Sequence, residues 1–67
     1  MNNRYNIPVW RKCMLTVEEA AEYTNIGYNK MDEMSRQPNC PFSLYIGRKK
    51  LIKREKLEEY LLSQVEL

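Results

Sequence analysis

The 67-residue chain predicts a small, mainly helical α+β domain, and three observations carry that prediction. Thr16, followed three residues later by Glu19, opens a helical pattern that breaks at Asn25-Ile26-Gly27 and resumes to about Arg36. Two short runs rich in branched and aromatic residues flank a basic, glycine-containing turn at Gly47-Arg48-Lys49. An amphipathic stretch over residues 54–65 closes the chain. Two helices at a tight turn, a hairpin and a closing helix form a winged helix-turn-helix, in which the hairpin tip is the wing.

Residues 1–6 are polar and expected to be flexible. Pro8 pushes Ile7 towards extended backbone, so Ile7-Pro8-Val9-Trp10 reads as an extended apolar arm, with the lone tryptophan as a core anchor. Cys13-Met14-Leu15 can pair as a short strand. The helix-turn-helix spans 16–36. Thr16 and Glu19 form a capping box, which starts a helix at Val17. Val17, Ala20 and Ala21 then share a face, and the two alanines let a second helix approach closely. Gly27 is expected to supply the turn conformation that other residues resist, with Ile26 as an apolar plug beneath it. Tyr28 restarts a helix whose buried stripe is Met31 and Met34; it ends before Pro38.

The loop Gln37-Pro38-Asn39-Cys40-Pro41 separates this unit from a wing hairpin over 42–53. In the closing helix, Leu57, Tyr60, Leu61 and then Gln64 or Val65 point inward, while Glu55, Glu58, Glu59 and Ser63 point outward. The whole of 1–67 is expected to be one domain. A chain of this length buries only about 60% of the surface its unfolded form exposes, so the core is small.

Composition narrows the functional classes. Two cysteines and no histidine fall short of the common zinc ligand sets, and the missing histidine removes the usual partner of a serine or cysteine nucleophile. No catalytic site, metal or other cofactor is expected, and no small-molecule substrate. No apolar run approaches the roughly 18 residues of a membrane span, and the N-terminus has no signal-peptide pattern; a cytoplasmic location is expected, with Cys13 and Cys40 as free thiols.

The net charge is only +2, so any affinity for nucleic acid depends on where the charges lie. Arg48, Lys49, Lys50, Lys53, Arg54 and Lys56 place six of the eleven basic residues within nine positions. Long cations at a hairpin tip can enter a minor groove or clamp phosphates. Tyr28, Asn29 and Lys30 occupy the first turn of the second helix, where a recognition helix meets base edges. Asparagine can pair with adenine, lysine with guanine or phosphate, and tyrosine with a sugar or thymine methyl. Arg36 shares the outward face, where Asp32 can neutralise it at i, i+4. Tyr28, Asn29, Lys30, Arg36, Arg48, Lys49, Lys50 and Lys53 are therefore the candidate DNA-contacting residues. Lys53 and Arg54 open the last helix, where the macrodipole disfavours cations, so they either face phosphate or are compensated by Glu55.

Taken together, Ile7-Pro8-Val9-Trp10, Leu15-Thr16-Val17-Glu18-Glu19-Ala20, Tyr23, Ile26-Gly27, Asn29-Lys30 and Gly47-Arg48-Lys49-Lys50 leading to Ile52-Lys53-Arg54 resemble the excisionases of conjugative transposons. These sit within the broader MerR-like winged-helix and phage excisionase superfamily. The resemblance implies a recombination directionality factor that binds and bends double-stranded DNA near element ends and helps a tyrosine-recombinase integrase excise the element, with further copies of itself as possible neighbours on DNA. It places Tyr28, Asn29 and Lys30 at the start of the recognition helix and Arg48, Lys49 and Lys50 on the wing. Two features depart from the broader pattern: Lys53 stands where many relatives have an aspartate cap, and Met31-Asp32-Glu33-Met34 is less basic than usual. The alternative is a winged-helix transcriptional regulator of a mobile element. A third reading, an adaptor, rests on the acidic closing helix with Leu62 and Leu67 outward.

Overall fold

The computed structural model describes residues 7–67; the segment 1–6, expected to be flexible, lies outside the described residues. The capping box forms as its spacing requires. The Glu19 N–H donates to the Thr16 hydroxyl at 3.0 Å, and the Thr16 N–H donates to the Glu19 carboxylate at 3.0 Å. Helix α1 follows over Val17–Thr24 and buries Val17, Ala20 and Ala21.

The turn after α1 differs from its expected chemistry. Asn25, with φ 62°, takes the left-handed conformation, whereas Gly27 has φ −57° and ψ 151°. A Cβ built on Gly27 would meet nothing within 4 Å. Asparagine tolerates this conformation better than most side-chain-bearing residues, and here it ends the helix as a glycine commonly does. The Ile26 N–H then bonds back to the Ala21 carbonyl at 3.1 Å, and Ile26 packs against the core as the expected plug. Helix α2 runs over Tyr28–Ser35 with Met31, Met34 and Ser35 buried.

Strands β1 (Met14–Leu15), β2 (Ser43–Ile46) and β3 (Lys49–Lys53) form an antiparallel sheet in the order β1-β3-β2. Ile46 pairs with Lys49, so the connection is only Gly47-Arg48 and Lys49 already belongs to β3. Gly47, at φ 60°, supplies the positive angle that such a two-residue hairpin loop needs at its first position. Leu15, Ile52 and Ser43 lie side by side across the sheet on its inner face. Ser43 is inward because its hydroxyl donates to the Ser35 carbonyl at the end of α2, at 2.6 Å. Leu44 and Ile46 consequently face outward.

Helix α3 covers Arg54–Leu62, three residues shorter than expected. The Ser63 hydroxyl donates to the Tyr60 carbonyl at 2.7 Å, and Val65 beyond it is fully exposed, so neither Gln64 nor Val65 extends the buried face. Leu57 closes the core, which also holds Leu15, Val17, Ala20, Ala21, Met31, Met34, Phe42 and Ile52.

Trp10 is not part of that core. Pro8 is extended, as expected, but Val9–Arg11 fold into a 3₁₀ turn that packs Val9 on the core and leaves Trp10 64% exposed. Successive residues of a 3₁₀ helix point about 120° apart, so both cannot face inward. The aromatic anchor is Phe42, 1% exposed, with the Tyr60 ring tilted against it at 5.3 Å between centroids. The result is the expected winged-helix arrangement of three helices and a three-stranded sheet.

Candidate nucleic-acid interface

Two elements present the candidate residues. At the start of α2, Tyr28, Asn29 and Lys30 are all exposed, and Gly27 offers no side-chain cap to the N-terminal N–H groups. Uncapped helix N-termini favour negatively charged groups. Lys30 is only loosely held, with Glu33 at 4.0 Å. At the other element, the hairpin tip, Arg48 and Lys49 are exposed, and neither makes an ion pair among the described residues.

Lys50 differs from its neighbour. Strand alternation turns it to the inner face of the sheet, where its ammonium reaches the Asp32 carboxylate of α2 at 2.7 Å. Its side chain is 14% exposed. The other Asp32 oxygen is 3.0 Å from Arg36 Nε, the i, i+4 pair anticipated from the sequence. The Lys50 hydrogen bond leads in holding the Asp32 carboxyl below the ordinary aspartate range; partial burial opposes it, and the charges of Lys50 and then of Arg36 add smaller lowering contributions. Asp32 thus ties the wing to the helix beside it. The acidic residues of α2 are not a bare patch: Asp32 serves two cations and Glu33 one.

Lys53 ends β3 on the outer face, opposite Met14, and is half-buried. It precedes α3 without a side-chain capping bond. Arg54 is turned inward into the frame. Its Nε donates to the Lys12 carbonyl at 2.7 Å, and its two terminal nitrogens reach Glu58 at 3.0 Å and Glu55 at 3.8 Å. Tyr23 of α1 donates to the same Glu58 carboxylate. That bond leads in lowering the Glu58 carboxyl, with Arg54 adding to it against partial burial, and the same bond leads in raising the Tyr23 hydroxyl, which Arg54 opposes. Lys12 pairs with Glu19 at 2.5 Å. These contacts lock the N-terminal turn, α1 and α3 together. Sequence spacing revealed none of the long-range partners, because Tyr23–Glu58 and Lys50–Asp32 each join residues many positions apart.

Among the described residues no group of three or more Cys, Asp or Glu side chains could hold a metal ion, and both cysteines are free thiols. No described helix is long and apolar enough to cross a membrane.

The family model described as the excisionase from transposon Tn916 matches residues 1–65. The chain belongs to the Tn916 excisionase family. It is 33% identical over 57 residues to an excisionase from transposon Tn916 of Streptococcus agalactiae serotype V (strain ATCC BAA-611 / 2603 V/R), covering 84% of this chain and 85% of that relative. No solved structure matches. Membership of the excisionase family supports a role in transposon excision, and the resemblance read from the sequence holds across nearly the full chain.

Proposed function

We propose that the protein is an architectural accessory of excision: it binds double-stranded DNA near the ends of a mobile element, bends it and assists a tyrosine-recombinase integrase. The observation that carries this reading is the pair of unpaired, exposed cations Arg48 and Lys49 at the hairpin tip, joined to α2 through Lys50 and Asp32. With the first turn of α2 in a major groove, Tyr28, Asn29 and Lys30 would read base edges, while Arg48 and Lys49 would neutralise neighbouring phosphates. Lys50 and Arg36 act mainly by holding Asp32 and thereby the spacing between helix and wing. Exposed Leu62 and Leu67 at the far end of the chain offer an apolar surface for contact with integrase or another copy.

The test is an excision assay with integrase supplied, comparing wild type with R48A/K49A, alongside binding to element-end duplexes. Loss of both excision and duplex affinity, with the thermal midpoint retained, supports the reading. Unchanged excision by R48A/K49A refutes the role given to the wing. Promoter repression without any effect on excision would instead favour a transcriptional regulator.

A further inference from the structure

Most cations of this chain are consumed internally. Lys12, Lys30, Arg36, Lys50, Arg54 and Lys56 all have carboxylate partners. Among the described residues, Arg11, Arg48, Lys49 and Lys53 have none. Arg48 and Lys49 form the wing tip. Arg11 and Lys53 lie at the opposite end of β3, where both line a cleft of about 460 Å³ between the 3₁₀ turn and the start of α3.

The sheet connects the two pairs. Lys49 and Lys53 are four residues apart on one strand and so share its outer face, with Leu51 between them. Their separation along β3 is about 14 Å, comparable to the axial rise of about four phosphates of one DNA strand. The cleft also contains Glu55 and Glu59, but these face Arg54 at 3.8 Å and Lys56 at 3.6 Å respectively, leaving Arg11 and Lys53 uncompensated.

We infer that this cleft is a second phosphate-binding site, which takes a backbone phosphodiester of duplex DNA flanking the segment held by α2 and the wing. The inference rests on the DNA-binding reading above and adds Arg11 to the contact surface. Duplex DNA that reached both the wing tip and the cleft would follow the outer face of the sheet. Such a path lets the protein favour a bend, since contacts at both ends offset the deformation cost.

The experiment measures affinity against salt concentration for wild type, R11Q/K53Q and R11K/K53R, on an element-end duplex and on the same duplex with its flank removed. Loss of the phosphodiester contact at the cleft should lower the slope of log K against log salt by about 0.9 on the long duplex. R11K/K53R should keep the wild-type slope, which separates charge from folding. Wild type should lose affinity when the flank is removed, and R11Q/K53Q should be indifferent to it. A wild-type slope for R11Q/K53Q on the long duplex would overturn the inference while leaving wing binding intact. Wild type without affinity for any duplex would overturn both readings. Inorganic phosphate titrated alone against the Arg11 and Lys53 NMR signals supplies the remaining arm. Saturable shifts there, together with an unchanged duplex slope for R11Q/K53Q, would assign the cleft to a free anion and overturn the assignment to DNA.

Discussion

Lys49 and Lys50 are neighbours in sequence but lie on opposite faces of β3, so replacing each by methionine provides a sharp comparison. Lys49 is exposed and unpaired, whereas the Lys50 ammonium is 2.7 Å from Asp32. If Lys49 neutralises one phosphate, Lys49→Met should reduce the slope of log K against log salt by about 0.9. Over the fourfold range from about 50 to 200 mM salt, the variant should then lose about 3.5-fold less affinity than wild type. Lys50 requires a charge-neutral comparison, because removing it alone leaves Asp32 with only Arg36. The double variant Asp32→Asn/Lys50→Met preserves net charge, and its slope should match wild type while affinity falls by the same factor at every salt concentration. That uniform loss is the mark of a wing whose position has relaxed. Fluorescence anisotropy with a labelled element-end duplex measures both quantities. A slope for Asp32→Asn/Lys50→Met reduced as far as that of Lys49→Met would show Lys50 on phosphate and refute the positioning role.

Three further outcomes test the fold. Thr16→Ala removes the acceptor of the Glu19 N–H and should cost about 1 kcal/mol, read by urea denaturation; an unchanged midpoint would mean that the capping box contributes nothing. Trp10→Ala should change stability by less than about 0.5 kcal/mol, whereas Leu57→Ala should cost about 2–5 kcal/mol, most of what so small a core supplies; equal effects would place Trp10 in the core. The pH dependence follows from Glu19, Asp32 and Glu58, all held below their ordinary values. Burial opposes this for Glu19, but Lys12 and the Thr16 N–H outweigh it; Lys50 leads for Asp32, and Tyr23 leads for Glu58. Lowered folded-state values mean that the unfolded chain binds more protons in acid. The stability from these groups is therefore complete above about pH 5 and lost as pH falls through the lowered values. Urea midpoints at pH 7 and pH 3 should converge in Glu19→Gln/Asp32→Asn/Glu58→Gln; an acid loss as steep as that of wild type would refute the assignment.

Signals confined to a few neighbouring residues were the most legible in the sequence. The Thr16–Glu19 box, the Met31–Met34 stripe and the glycine at the hairpin loop each depend on contacts within about one turn, and each forms as its spacing indicates. Trp10 departs from its expected core position because hydrophobicity indicates that burial is favourable, not which residue fills the available volume; Phe42, beside the loop prolines, fills it instead. Helix α3 ends at Leu62, short of its expected bound, because the packing partners stop before the apolar spacing, which continues to Val65. Within the candidate interface, the wing was visible as a charge run. The division between Lys49 and Lys50 required the strand register, and the placement of Arg11 and Lys53 along one cleft required the pairing of Met14 with Lys53 across β1 and β3. No local pattern contains either piece of information.

The placement of the left-handed residue has a consequence for how this surface can diversify. Asn25 carries the demanding geometry of the turn, and position 27 is left with ordinary backbone angles and empty space around it. On the proposed reading, shape and readout are therefore assigned to different residues. Substitutions from position 27 to position 30 can alter the chemistry offered at the tip of α2 while the angle between α1 and α2 stays where Asn25 and Ile26 set it. If the tip of α2 reads DNA as proposed, a lineage can thus change the sequence its protein prefers by varying a short exposed segment, without rebuilding the domain that presents it.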